Sequence, residues 1–191
     1  MVEPEKMGTP MYFEGFCKSL FPKKDENIVI IEVGTWKGAS AFNMISAADK
    51  KCKMYCVDTW LGSHEHYDSI SRDENGYPCI FKDFWNNVKS MNYEDIITPI
   101  TLPSVDGAKL LEKMGVKADI IYIDAAHDYK NTKADLDAYW PLLKDDGIFM
   151  GDDFSIDWYG VIGAVQQFSF EVGIPIHVTN NKTWHMIKKS Q

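Results

Sequence analysis

Apolar residues along this chain fall into two alternating kinds of run. Ile28-Val29-Ile30-Ile31, Met54-Tyr55-Cys56-Val57, Ile120-Ile121-Tyr122-Ile123 and Ile148-Phe149-Met150 are short, continuous and rich in β-branched or aromatic residues. Such runs read as strands buried on both faces of a sheet. Between them, apolar residues recur at i, i+3, i+4 and i+7. Phe13, Phe16, Cys17 and Leu20 make one such stripe; Phe81, Phe84, Trp85 and Val88 make another. Ala41, Phe42, Ile45 and Ala48, and later Val161, Ala164, Val165 and Phe168, continue the series. Each stripe predicts a helix with one face to cover.

Punctuation between the runs sets the boundaries. Thr9-Pro10 can cap and open the first helix, and Pro22 ends it. Pro78 opens the helix that carries Phe84. Ile96-Ile97-Thr98-Pro99-Ile100 reads as a strand, and its proline cannot donate to a ladder, which places it at a sheet edge. Residues 104–114 read as a short helix. Leu136, Trp140 and Leu143 mark a further helix, which Pro141 and an Asp145-Asp146-Gly147 turn bring to a close. At the end, Asn180-Asn181 separates two short runs as in a hairpin. Residues 59–77 show no period. A loop of that length in a compact domain is usually functional or mobile.

Strands that alternate with crossover-length helices predict an α/β protein with a mainly parallel, doubly wound sheet between two layers of helices. The final hairpin adds one antiparallel strand. In such sheets ligands sit beyond the carboxyl ends of the strands, where the strand order reverses. Asp58, Asp124, Asp152 and Asp153 all close predicted strands, and so does the Gly34 loop. These groups are expected to meet on one rim.

Composition narrows the function. Hydrophobic residues are 45% of 191, enough for one well-packed domain. The formal charge of −8 argues against nucleic acid or an anionic membrane surface as a broad partner. No apolar stretch approaches the ~20 residues of a membrane span. The first residues lack the apolar segment of a secretory leader. Cys17, Cys52, Cys56 and Cys79 have neither disulfide-framework nor zinc spacing, and read as reduced cysteines of a cytoplasmic protein.

The chemistry starts at Glu32-Val33-Gly34-Thr35-Trp36-Lys37-Gly38. Two glycines after a buried strand let the backbone turn sharply and approach a ligand, with a helix N-terminus beyond. Asp58 closes the next strand and can accept from both hydroxyls of a ribose. The middle glycine that admits a pyrophosphate is missing, so a phosphate-free nucleoside fits better than a dinucleotide. Glu32 suits an amino-bearing ligand better than a phosphate. The plainer alternative is a tight strand-to-helix turn with Asp58 as a solvated acid.

These residues resemble the class I S-adenosylmethionine-dependent methyltransferases, across roughly residues 25–190. The segment from Glu32 to Gly38 resembles the family's first motif, and Asp58 its ribose-binding acid. Tyr122-Ile123-Asp124-Ala125-Ala126-His127-Asp128-Tyr129 and Gly151-Asp152-Asp153-Phe154 resemble motifs of bacterial metal-dependent O-methyltransferases, those of the macrocin type and more distantly the catechol type. The resemblance implies a seven-stranded sheet in the order 3-2-1-4-5-7-6, with residues 25–191 as the methyltransferase domain and residues 1–24 as an N-terminal helical cap. It implies S-adenosylmethionine contacts at Glu32, Gly34, Thr35, Trp36, Gly38, Ser40, Asp58, Thr59, Ser104 and Asp124. It further implies a divalent metal, Mg²⁺, on Asp124, Asp152 and Asp153, with His127 or Asp124 as the base.

Oxygen-only ligands do suit a hard cation. A histidine, with an ordinary pKa near ~6.5, can take a proton at neutral pH. The expected activity is therefore O-methyl transfer to a small hydroxylated acceptor. Plainer readings remain for each residue. Asp152 and Asp153 can cap the following helix, and His127 can simply start one. Trp60, His64, His66, Tyr67 and Trp158 can line or lid an acceptor pocket, or cover the core. A metal-free methyltransferase acting on oxygen or nitrogen, and a non-catalytic nucleotide-binding module, are the competing functions. The N-terminal helix can cap the acceptor site or pack in a homodimer.

Overall fold

The computed structural model describes residues 12–21, 27–63, 68, 70–180 and 182–190. The expected boundaries at Thr9, Pro10 and Pro22, the side chains of His64, His66 and Tyr67, and Asn181 of the hairpin turn lie outside the described residues. The elements in chain order are α1 (Tyr12–Leu20), β1 (Ile28–Val33), α2 (Ala39–Ala47), β2 (Cys52–Asp58), α3 (Ile80–Met91), β3 (Ile97–Thr101) and α4 (Ser104–Lys113). They continue with β4 (Ala118–Ile123), α5 (Tyr129–Tyr139), a 3₁₀ turn (Trp140–Leu142), β5 (Leu143–Gly151), α6 (Tyr159–Val172), β6 (His177–Thr179) and β7 (Thr183–Ile187).

The strands form one sheet in the order β3-β2-β1-β4-β5-β7-β6. β1 to β5 pair in parallel; β7 is antiparallel to both β5 and β6. Pro99 lies in β3 at the edge, where its missing N–H costs no inner ladder bond. Alternation along the strands divides the core in two. Ile30, Met54, Ile120 and Met150 face Phe42, Ile45, Phe84 and Val88 of α2 and α3. Ile31, Val57, Ile121 and Phe149 face Leu111, Leu136, Val165 and Phe168 of α4, α5 and α6. In the four apolar runs, residues that point away from one helix layer meet the other, which is why those runs are apolar throughout.

Two local readings are corrected. Leu143 opens β5 rather than closing a helix, because α5 ends at Tyr139 and Pro141 sits in the 3₁₀ turn. Asp145, Asp146 and Gly147 lie within β5 and form no terminal turn. Leu143 pairs with Ala118 and Ile148 with Ile120, so residues 144–147 bulge out of the ladder, with Asp146 at φ 59°. The buried Asp119 supports the bulge by accepting from Val29 N–H at 2.9 Å and Lys144 Nζ at 2.7 Å.

The described part of the N-terminal segment, α1, is packed into the first core. Phe13 and Cys17 are buried there, and the Phe13 ring stands 5.3 Å from that of Tyr122. Among the described residues, no helix is long and apolar enough to cross a membrane.

Candidate active site

The carboxyl ends of β1, β2 and β4 are tied together by backbone before any side chain contributes. Gly34 leaves β1 at φ +87°, and a Cβ there would stand 2.0 Å from the backbone oxygen of Asp124. Its glycine is therefore demanded by the contact between two strand ends. Gly38 turns into α2 at φ +95°, and a Cβ there would meet the Phe42 ring at 2.6 Å. Between them Trp36 also adopts a left-handed conformation, φ 51°. That residue is held by Asp58. Oδ2 of Asp58 accepts from Trp36 N–H at 2.8 Å, Oδ1 accepts from Trp60 N–H at 2.7 Å, and the Trp60 indole N–H donates to the Trp36 carbonyl at 2.8 Å. Burial raises the Asp58 pKa, and the backbone N–H groups of Trp36 and Trp60 pull it back. Trp60 itself is buried on Phe81 and Phe84, so it braces the loop from the core and does not lid the pocket.

Above these ends lies a cavity of about 870 Å³. Gly34, Thr35, Trp36, Ser40, Asp58, Thr59, Ser104 and Asp124 line it, and so do His127, Asp152, Asp153, Trp158 and Lys182. Glu32 and Gly38 are not on its surface. Glu32 is 0% exposed and lies under the floor. Its Oε1 accepts from Ser40 Oγ at 2.5 Å. Burial pushes its pKa up to about 8, against the hydrogen bond from Ser40.

The acidic rim is assembled from three elements. Asp124 follows β4, Asp152 and Asp153 follow β5, and Lys182 precedes β7. His127 Nε2 lies 3.0 Å from Asp153 Oδ2, and its ring lies against that of Trp158, tilted by 38° with centroids 4.1 Å apart. Asp124 is pushed up to about 7 by burial and by the Asp152 and Asp153 carboxylates, while His127 and Lys182 act the other way. Ligand atoms of Asp124, His127 and Asp153 all lie within 4.8 Å of one another. Asp152 turns instead to Lys182, whose Nζ is 2.7 Å from its Oδ2, and to the Thr183 hydroxyl at 3.4 Å. Neither aspartate caps α6, whose N-cap residue is Trp158. Nor does His127 begin α5: Asp128 is the N-cap, accepting from Asn131 N–H at 3.0 Å.

A family model described as a methyltransferase domain matches residues 31–154, which span the glycine loop, Asp58 and all of the acidic rim except Lys182. The chain belongs to that family. Its fold is the class I, S-adenosylmethionine-dependent one, and the enzyme is a methyltransferase. No curated protein matches the sequence. Among solved structures it is similar to a provisionally assigned caffeoyl-CoA O-methyltransferase from Staphylococcus aureus (18% identity, 94% of this chain and 84% of that one, TM-score 0.67). It is also similar to a precorrin-6y C5,15-methyltransferase from Geobacter metallireducens (13%, 97% and 92%, TM-score 0.68). A third is an O-methyltransferase from Bacillus cereus in complex with SAH (15%, 93% and 79%, TM-score 0.64). At these identities the likeness establishes the fold.

The methyltransferase also carries site residues that sequence reasoning passed over. Lys182 is a lone lysine in a turn, with nothing in its neighbourhood to mark it. Asp135 on α5 lines the same cavity at 1% exposure, both its carboxylate oxygens are buried without a hydrogen-bond partner, and burial lifts its pKa to about 6. Gly160 lets α6 touch the backbone before α5, since a Cβ there would stand 2.6 Å from His127 O and from Tyr129 N. That approach is what brings Trp158 onto His127. Charged residues at helical positions and glycines inside helices are legible signals, but only as questions about what they face.

Proposed function

We propose that this methyltransferase moves the S-methyl group of S-adenosylmethionine to a hydroxyl oxygen of a small acceptor. The His127–Asp153 pair carries the reading, because it offers a base and its orienting acid on the wall of the same cavity as the glycine loop. In this reading Asp58 and Thr59 take the ribose. Each Asp58 oxygen already accepts one N–H, and a carboxylate has about four acceptor sites in all, which leaves room for both hydroxyls. Ser104 stands on the adenine side. Gly34, Thr35, Trp36 and Ser40 surround the amino-acid end, and Asp124 faces both halves. Glu32 acts from below: Ser40 spends its proton on Glu32, so its oxygen is turned to accept from the donor's ammonium.

The acceptor hydroxyl gives its proton to the His127 ring nitrogen that does not face Asp153, while Asp153 holds the Nε2 side and stabilises the resulting imidazolium. The oxygen then forms a bond to the methyl carbon as the carbon–sulfur bond breaks, and S-adenosylhomocysteine leaves. The sulfonium is already a good electrophile, so the protein's task is alignment. Asp124, Asp152 and Asp153 fit a hard divalent cation such as Mg²⁺ by their oxygen-only chemistry. Such an ion would hold the acceptor oxygens and favour loss of the hydroxyl proton. The Lys182 ammonium on Asp152 favours a second reading, in which the same transfer proceeds without metal.

S-adenosylhomocysteine at 100 times its Kd is expected to stabilise the protein by about 2.7 kcal/mol, a Tm rise of roughly 5–10 °C. Labelled-methyl transfer across a panel of phenols, catechols, sugars and amines, with and without EDTA, separates the readings. Stabilisation by NAD and none by S-adenosylhomocysteine would overturn both.

A further inference from the structure

Lys182 reaches the acidic rim from the turn before β7, remote in sequence from the loops that carry the acids. Its Nζ lies 2.7 Å from Asp152 Oδ2 and 3.8 Å from Asp153 Oδ1. Its backbone is fixed to the same segment, since Phe154 N–H donates to the Lys182 carbonyl at 2.8 Å. The lysine is thus pinned at its base beside the acids, and the ammonium lies within reach of two carboxylates. Its side chain keeps 36% exposure, so it has an open direction in which to withdraw. Three carboxylates in one rim repel one another without a cation, and one tethered positive charge relieves part of that. A divalent ion on the same oxygens must either displace the ammonium or bind beside a like charge.

We propose that Lys182 is a tethered rival of the divalent cation. It holds Asp152 and Asp153 when no metal is bound and releases them when metal enters, so it sets how much metal the rim needs. The inference rests on the metal-assisted form of the function proposed above. It goes beyond that form by assigning the metal affinity to a residue outside the acid motifs.

The test is Mn²⁺ affinity, read by the electron paramagnetic resonance of free Mn²⁺, with S-adenosylhomocysteine affinity measured in parallel. The proteins are the wild type, Lys182→Met and Lys182→Arg. Lys182→Met removes the charge and keeps the length; it is expected to bind Mn²⁺ at least about tenfold more tightly, about 1.4 kcal/mol. Lys182→Arg keeps the charge and is expected to stay within about twofold of wild type, a change well under 1 kcal/mol. Mn²⁺ affinity that is unchanged or weaker in Lys182→Met overturns the inference, as does the absence of Mn²⁺ binding in all three proteins. Retained S-adenosylhomocysteine binding confines that failure to Lys182. Loss of S-adenosylhomocysteine binding in the wild type would instead sink the methyltransferase reading on which it rests.

Discussion

Glu32 gives the sharpest test of the forces inside this fold. Its carboxyl is wholly buried beneath the cavity, with Ser40 Oγ as a close partner and a pKa near 8. The cause is desolvation, which disfavours the charged form. In the unfolded chain the same group titrates near its ordinary value of 4.5. Below that pH both states are protonated and Glu32 contributes nothing to the pH dependence. As pH rises through 4.5 the unfolded state ionises first, so stability falls until the folded group also ionises near 8, and is level above. At about 1.36 kcal/mol per pKa unit the full loss has a ceiling of about 5 kcal/mol, and relaxation around the charge brings the expected value to about 2–4 kcal/mol. Glu32→Gln keeps an oxygen for Ser40 and cannot ionise. Relative to wild type it should therefore change stability little near pH 5 and raise it by about 2–4 kcal/mol near pH 8. Urea unfolding followed by tryptophan fluorescence reads both, and the wild-type-minus-variant difference cancels the other titrating groups. A variant equally stabilised or equally destabilised at both pH values would refute the reasoning, because uncharged packing alone has no pH slope.

Other predictions follow from the same geometry. Gly34→Ala places a Cβ 2.0 Å from the Asp124 backbone oxygen at φ +87°. It should cost more than about 3 kcal/mol in chemical denaturation, or prevent folding. Asp58→Ala removes the acceptor for two loop N–H groups, and should weaken S-adenosylhomocysteine binding by at least about tenfold in calorimetry, with a shift in Trp60 emission as its indole bond to Trp36 loosens. Asp153→Ala takes the acid from His127, and should lower kcat by roughly 10²–10⁴ while S-adenosylhomocysteine affinity holds. Equal losses in kcat and in cofactor affinity would move Asp153 from the chemistry to the scaffold.

Much of the architecture was legible because buried parallel strands leave little choice of residue. Ile28 to Ile31 and Ile120 to Ile123 meet helices on both faces, so every position must be apolar. Pro99 marked its own edge strand, and the four strand-end aspartates converged as their positions required. What stayed hidden had no periodic signature. Asp145, Asp146 and Gly147 have the chemistry of a turn, yet a bulge uses the same residues for the same reason, a local left-handed backbone. Trp60 reads from sequence as either a pocket aromatic or a core cover, and only its indole N–H, donating to the Trp36 carbonyl, makes it a brace for the loop. Glu32 carried a family position but not its depth, since burial is a property of what packs above it. Lys182 became visible only when β7 folded back against β5 and brought a distant turn to the acids.

The contact between Gly34 and the Asp124 carbonyl has a consequence for how this enzyme can change. One end of it belongs to the glycine loop, on the cofactor side in the function proposed above, and the other to the strand that carries the acidic rim. The two halves are registered through main chain, and neighbouring ladder bonds from Gly34 N–H to Val57 O and from Asp124 N–H to Val33 O fix them at 2.9 and 2.8 Å. Side chains around the acceptor can then be replaced one at a time without altering the distance that donor and acceptor must share. In the proposed function, a scaffold of this kind separates where the transfer occurs from what receives it, so a redesign for a new acceptor leaves the glycine loop untouched and works only on the walls around His127 and Trp158.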